Sequence, residues 1–113
     1  MPDKTWGRLF YETIERAPLE LHEMLMIEAV KGKAFTFLAE GNYDDACEWL
    51  KKALTKLSES NKLNTDEYAL VCALLAVFQS IAGDKNAARS SIVTAKRQAK
   101  SPEMWDMLHN MPL

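Results

Sequence analysis

Cysteine, glycine and proline are all scarce in this chain, at two, four and four residues, and each scarcity excludes something. Two cysteines make no disulfide framework, and Cys47 and Cys72 both lie among apolar neighbours at helical spacing, where they read as small buried hydrophobes. The few glycines and prolines stand where helices begin and end, not in the dense turn pattern of a strand-and-hairpin protein. Long apolar runs are missing too. The most apolar stretch, Tyr68 to Ala82, contains Gln79 and Ser80 and falls short of the roughly 18 residues that a membrane span requires.

Groups that do chemistry are also sparse. His22 and His109 are far apart; His22 has Glu20 and Glu23 nearby but no carboxylate at the i+3 or i+4 spacing that gathers ligands on one helix face, and His109 has only Asp106 three residues before it, a lone pair that reads as a surface contact. Cys-x-x-Cys, a phosphate-binding glycine loop and a Gly-x-Ser-x-Gly elbow are all absent. Neither an enzyme nor a metal or cofactor is expected. A net charge of -2 gives no general attraction to nucleic acid. The opening residues, Met1-Pro2-Asp3-Lys4-Thr5, lack the apolar core of a secretion signal, so a cytoplasmic protein is expected.

What the chain has in quantity is helix-forming sequence, with 48% hydrophobic residues over 113 positions, enough for one core. Asp3 is a candidate N-cap for a first helix to about Arg16, with Trp6, Leu9, Phe10 and Ile14 in one stripe. Pro18 suits the first turn of a second helix that runs to about Glu40 and ends at Gly41. Its apolar positions are Leu21, Met24, Leu25, Val30, Ala34, Phe37 and Leu38. A third helix extends from about Tyr43 to Ser60, and Thr65-Asp66-Glu67 starts a fourth that reaches Ala82. This fourth helix is apolar nearly all round and must be covered on both faces. A fifth helix follows Gly83-Asp84 to about Ala99. Ser101-Pro102-Glu103 then starts a short last one, with Met104, Trp105 and Leu108 along one side.

The chain also repeats itself. Gly41-Asn42-Tyr43-Asp44-Asp45-Ala46 matches Gly83-Asp84-Lys85-Asn86-Ala87-Ala88 at an offset of 42 residues. The same offset pairs Ala34 with Ala76, Leu50 with Ile92 and Ala53 with Ala95. With Ala34 and Phe37 before the turn, Gly41 and Tyr43 in it, and Ala46, Leu50 and Ala53 after it, the chain resembles the tetratricopeptide repeat family. The second copy keeps the small residues but has Gln79 and Lys85 in place of the aromatics, and the offset exceeds the family's usual period of about 34. The resemblance implies an all-α fold: a tetratricopeptide-like α-solenoid of two helical hairpins with an N-terminal helix and a C-terminal capping helix. Residues 1–113 would be one domain, with the repeats over about 27–100.

Proteins of this family bind other polypeptides on the concave surface lined by the first helix of each hairpin. Carried onto this chain, that surface is Lys31, Phe35 and Leu38 from the first hairpin with Ala73, Leu74, Val77 and Ile81 from the second. Phe35 stands where a carboxylate-clamping member has asparagine, so the groove is apolar and suits an amphipathic helical segment of a partner. The opposing expectation is a groove filled from within by Trp6 and Phe10 or by Met104, Trp105 and Leu108, and the alternative function is an assembly subunit that self-associates through its terminal helices, a homo-oligomer. Lys85, Arg89, Lys96 and Lys100 form a basic stripe at helical spacing. Without interleaved aromatics it reads as a solvated face or a dock for an acidic partner, not a nucleic-acid surface.

Overall fold

A cluster of side-chain and backbone caps sets where each helix of this chain begins and ends. The computed structural model describes residues 12–111, which are helical throughout apart from turns and short connections. Residues 12–16 are helical and lead into α1 (Leu19–His22), α2 (Leu25–Glu40), α3 (Tyr43–Glu59), α4 (Asp66–Ile81), α5 (Lys85–Gln98) and α6 (Pro102–His109). Trp6, Leu9 and Phe10 lie outside the described residues. Thr65, Asp84 and Ser101 each cap a helix by accepting a backbone N–H from the residue three positions on. Pro102 follows Ser101 at the first helical position, where its missing N–H costs nothing.

The repeated turn in the sequence is a repeated turn in space. Gly41 and Gly83 are both left-handed, with φ of 74° and 91°. Asn42 N–H donates to the Phe37 carbonyl at 3.1 Å, and Asp84 N–H donates to the Gln79 carbonyl at 2.9 Å. Gly41 and Gly83 N–H donate in turn to Leu38 and Ser80. Both turns are therefore Schellman motifs, equivalent at every backbone bond across the offset. The same motif closes α3, where Asn61 takes the left-handed position with φ of 59° and Lys62 N–H reaches the Leu57 carbonyl at 2.9 Å.

One expectation fails between Pro18 and Glu40, which are not spanned by a single helix. Glu23 is a turn residue and Met24 is extended, with φ of -78° and ψ of 130°. At 100° per residue, a continuous helix would place Leu21 about 180° from Val30. Both are buried, Leu21 in α1 and Val30 in α2, and the break supplies the rotation that lets both face the core. It also turns Leu25 outward, 88% exposed, where the sequence pattern placed it inside.

Helix α4 is the axis of the structure. Every residue from Ala69 to Ser80 is buried, because α5 packs along α4 most extensively, α3 next, and α2 and α6 more lightly. Small residues make the close approach possible: Ala73 and Ala76 on α4, and Ala88 and Ala95 on α5, are buried at the centre of the core. The core cluster also includes Ile14, Ala17 and Leu21 from the N-terminal part and Met104, Met107 and Leu108 from α6, and Arg16 lines a hollow with Glu103, Asp106 and Met107 of α6. Trp105 departs from the side expected for it and is 45% exposed, while Met107 takes the inward position. Beyond the caps, Asp66 Oδ1 accepts the backbone N–H groups of Lys100 and Ser101, which fastens the connection before α6 to the start of α4.

Candidate functional site

The face of α4 expected to line a groove is interior. Ala73, Leu74 and Val77 have no exposed surface, while Phe35, Leu38 and Ile81 are partly buried and packed against the core. Lys31 is tied down from two directions. Its Nζ lies 2.9 Å from Glu28 Oε1 and donates to His22 Nδ1 at 3.1 Å, joining α1 to α2. The seven residues therefore do not form an open surface in this structure. Met104 and Leu108 are buried in the same core cluster as Leu74 and Val77, whereas Trp105 is 45% exposed, and Trp6 and Phe10 lie outside the described residues.

The basic stripe is also shorter than its spacing suggested. Helix α5 ends at Gln98 and Ala99 is extended, with ψ of 136°, so Lys100 leaves the helical register and its backbone is held by Asp66. Lys85, Arg89 and Lys96 remain on one face of α5.

Openings lie elsewhere: a shallow polar hollow of about 480 Å³ lies between Arg16 and Glu103, Asp106 and Asn110 of the α6 region, and others lie on either side of α3. Ala46, Leu50, Ala53 and Leu57 form the buried line of this helix. Trp49 and Leu54 stand about 70° to either side of that line, and both are only partly buried. On the Leu54 side, α3 and α5 each pack on α4, leaving a trough floored by Tyr68, Cys72, Leu75 and Gln79. These residues occupy the face of α4 nearly opposite Leu74 and Val77. Lys51, Ser90 and Thr94 rim the trough, about 310 Å³ in volume, and an adjoining hollow of about 260 Å³ continues it past Cys47 to Asp44 and Asp84. Ser91 Oγ donates to Gln79 Oε1 at 2.6 Å across its floor. Gln79, which replaces the aromatic of the repeat, thus has a partner for its buried amide.

Both cysteines lie beside this trough. Burial pushes the Cys72 thiol up to about 12 and the Cys47 thiol up to about 11. Near neutral pH both are thiols, the form that neither attacks an electrophile nor ligates a metal. Among the described residues no three histidine, cysteine or acidic side chains are grouped to hold a metal ion, and no helix is long and apolar enough to cross a membrane.

On the Trp49 side the character changes. Met26 and Ala29 from the start of α2 and Trp49, Lys52, Ala53 and Lys56 from α3 enclose a depression of about 270 Å³. It occupies the end of the α2–α3 hairpin away from the turn, where these two helices pack far less extensively than α4 and α5. Leu25 lies one turn before Ala29 on the same face of α2 and extends the apolar surface outward. Comparison with family models, curated proteins and solved structures returned no match for this chain. The reading of this surface accordingly rests on its own geometry.

In the sequence Trp49, Leu50, Ala53, Leu54 and Leu57 read as one run of apolar positions along the third helix, and no depression beside Trp49 is expected from it. The signal was present. From Trp49 to Cys47 the apolar arc of the third helix spans about 160°, wider than a single core-facing stripe needs.

Proposed function

We propose that this protein is a polypeptide-binding module of tetratricopeptide-like build, and that it grips a helical segment of its partner in the depression beside Trp49. The observation that carries the reading is an apolar cluster left at the surface: Trp49 and Met26 half-buried, Ala29 exposed, and Leu25 with 88% of its surface in solvent. Such a surface costs free energy in isolation and marks a contact site. Tryptophan, which here lines the depression, is among the residue types that most often dominate binding energy. The depression's volume of about 270 Å³ lies below the usual range of small-molecule pockets, about 300–1,000 Å³, and suits one or two side chains of a helix laid across it.

The test uses Ala29→Arg, which fills the depression from an exposed helical position and leaves the core untouched. Helical peptides selected from a library on the parent protein are expected to lose binding to this variant while its circular dichroism and melting remain unchanged. Failure to select any helical peptide, or retention of all of them by Ala29→Arg, overturns the reading.

A second reading, self-association through the terminal helices, is favoured by Trp105, which is 45% exposed on α6. Light scattering across a wide concentration range tests it: a dimer that Trp105→Ala dissociates supports it, and a strict monomer excludes it.

A further inference from the structure

From the charges around the depression beside Trp49, and resting on the reading that it binds polypeptide, we infer that its occupant is an acidic amphipathic helix whose apolar residues enter the depression and whose carboxylates meet Lys52 and Lys56. Lys52 and Lys56 line the depression directly. They are one turn apart on α3, and both are exposed. Among the described residues neither is in an ion pair, whereas Lys31, Lys51 and Lys62 each have one. Lys33 adds a third cation along α2, two turns beyond Met26 on the same face, with its Nζ 5.2 Å from the centre of the Phe37 ring. This local excess of positive charge occurs in a chain whose net charge is -2.

The nearby acids do not cancel it. Glu28, adjacent to Ala29, is paired with Lys31 at 2.9 Å. Glu48, one turn before Lys52 on α3, is paired instead with Lys51, which rims the trough, at 3.4 Å. Asp45 and Glu59 are each about one turn beyond the lysine and tryptophan segment, at its two ends, so the middle of the face is cationic. Between Trp49 and Lys56 the wall is about 10 Å long at 1.5 Å per residue, which matches two turns of a bound helix. An occupant that fits presents apolar side chains at i, i+3 or i+4 and i+7, with aspartate or glutamate beside them to face the two lysines. The lysines select the partner and its orientation, while Met26, Ala29 and Trp49 supply the apolar contact.

Two synthetic peptides test this. One is an amphipathic helix with leucine at i, i+3 and i+7 flanked by glutamate, and the other replaces every glutamate by lysine. Fluorescence anisotropy is expected to show the acidic peptide binding the parent at least about tenfold more tightly than its basic mirror, with the preference shrinking as salt is raised. Lys52→Glu with Lys56→Glu reverses the order, and the neutral pair Lys52→Gln with Lys56→Gln abolishes the preference. Equal binding of both peptides, lost together in Ala29→Arg, overturns the charge selection but leaves polypeptide binding in place. Acidic-peptide binding that survives the double reversal and disappears with Lys85→Glu and Arg89→Glu moves the site to the α5 stripe and overturns the inference. If neither peptide binds the folded parent, both the inference and the reading beneath it fall.

Discussion

The Asp66 carboxylate accepts the backbone N–H of Ser101 at 3.1 Å, and the same oxygen accepts that of Lys100 at 2.7 Å. These residues are far apart in sequence, and the two bonds close a loop from the first turn of α4 to the connection before α6. Both bonds have an ionised acceptor, the stronger class of hydrogen bond. Asp66→Ala is therefore expected to lower stability by about 1–3 kcal/mol, read as a lower urea midpoint with little change in slope. Asp66→Asn keeps an acceptor oxygen and should lose less. An Asp66→Ala variant as stable as the parent would show that α6 is held by its apolar contacts alone.

The glycines separate by backbone conformation. Gly41 and Gly83 have positive φ, and alanine in either should cost about 1–2 kcal/mol through the left-handed penalty. Gly32 is within α2, and a methyl group there would meet nothing within 4 Å. Gly32→Ala should stabilise the fold by about 0.5–1 kcal/mol. Thermal melts of the three variants check the opposite signs together.

Helix boundaries were legible because they are set locally. Asp84 and Ser101 carry their cap signals within one turn of chain, and Gly41 and Gly83 announce left-handed positions that few other residues accept. The break at Glu23 and Met24 was not legible, since no glycine or proline marks it. It arises from a tertiary demand, that Leu21 and Val30 be buried against the same core. The burial of the expected groove face was not legible for a related reason. A helix as apolar as α4 does not reveal which side its neighbours leave open, so Leu74 and Val77 were indistinguishable in sequence from Cys72 and Leu75. The Trp49 depression depends on how far the α2–α3 hairpin opens, a quantity set by packing between the helices.

The thiols give a pH dependence of definite sign. Cys72 and Cys47 have ordinary values near 9.0, raised in the fold to about 12 and about 11. Above about pH 9 the unfolded chain loses thiol protons that the folded chain retains, so the unfolded state is favoured progressively up to those raised values. Stability is fully present below pH 9 and declines above it. Urea midpoints measured between pH 8 and pH 10.5 should fall, and Cys72→Ala should reduce the slope. At pH 8 the native thiols should react slowly with a disulfide reagent and rapidly once urea is added.

The decisive substitution for the placement of α4 is Val77→Glu. Val77 and Leu74 have no exposed surface, and an unpaired carboxylate there would have to be desolvated or protonated. Leu74→Ala, which only leaves a cavity, should cost about 2–5 kcal/mol. Val77→Glu should abolish the cooperative transition altogether, with loss of helical circular dichroism at temperatures where Leu74→Ala remains folded. A surface-lining Val77 would behave otherwise, with the glutamate variant folding normally and failing only in partner binding. That outcome would return the binding face to the side of α4 that carries Leu74, Val77 and Ile81, and would remove the case for the depression beside Trp49.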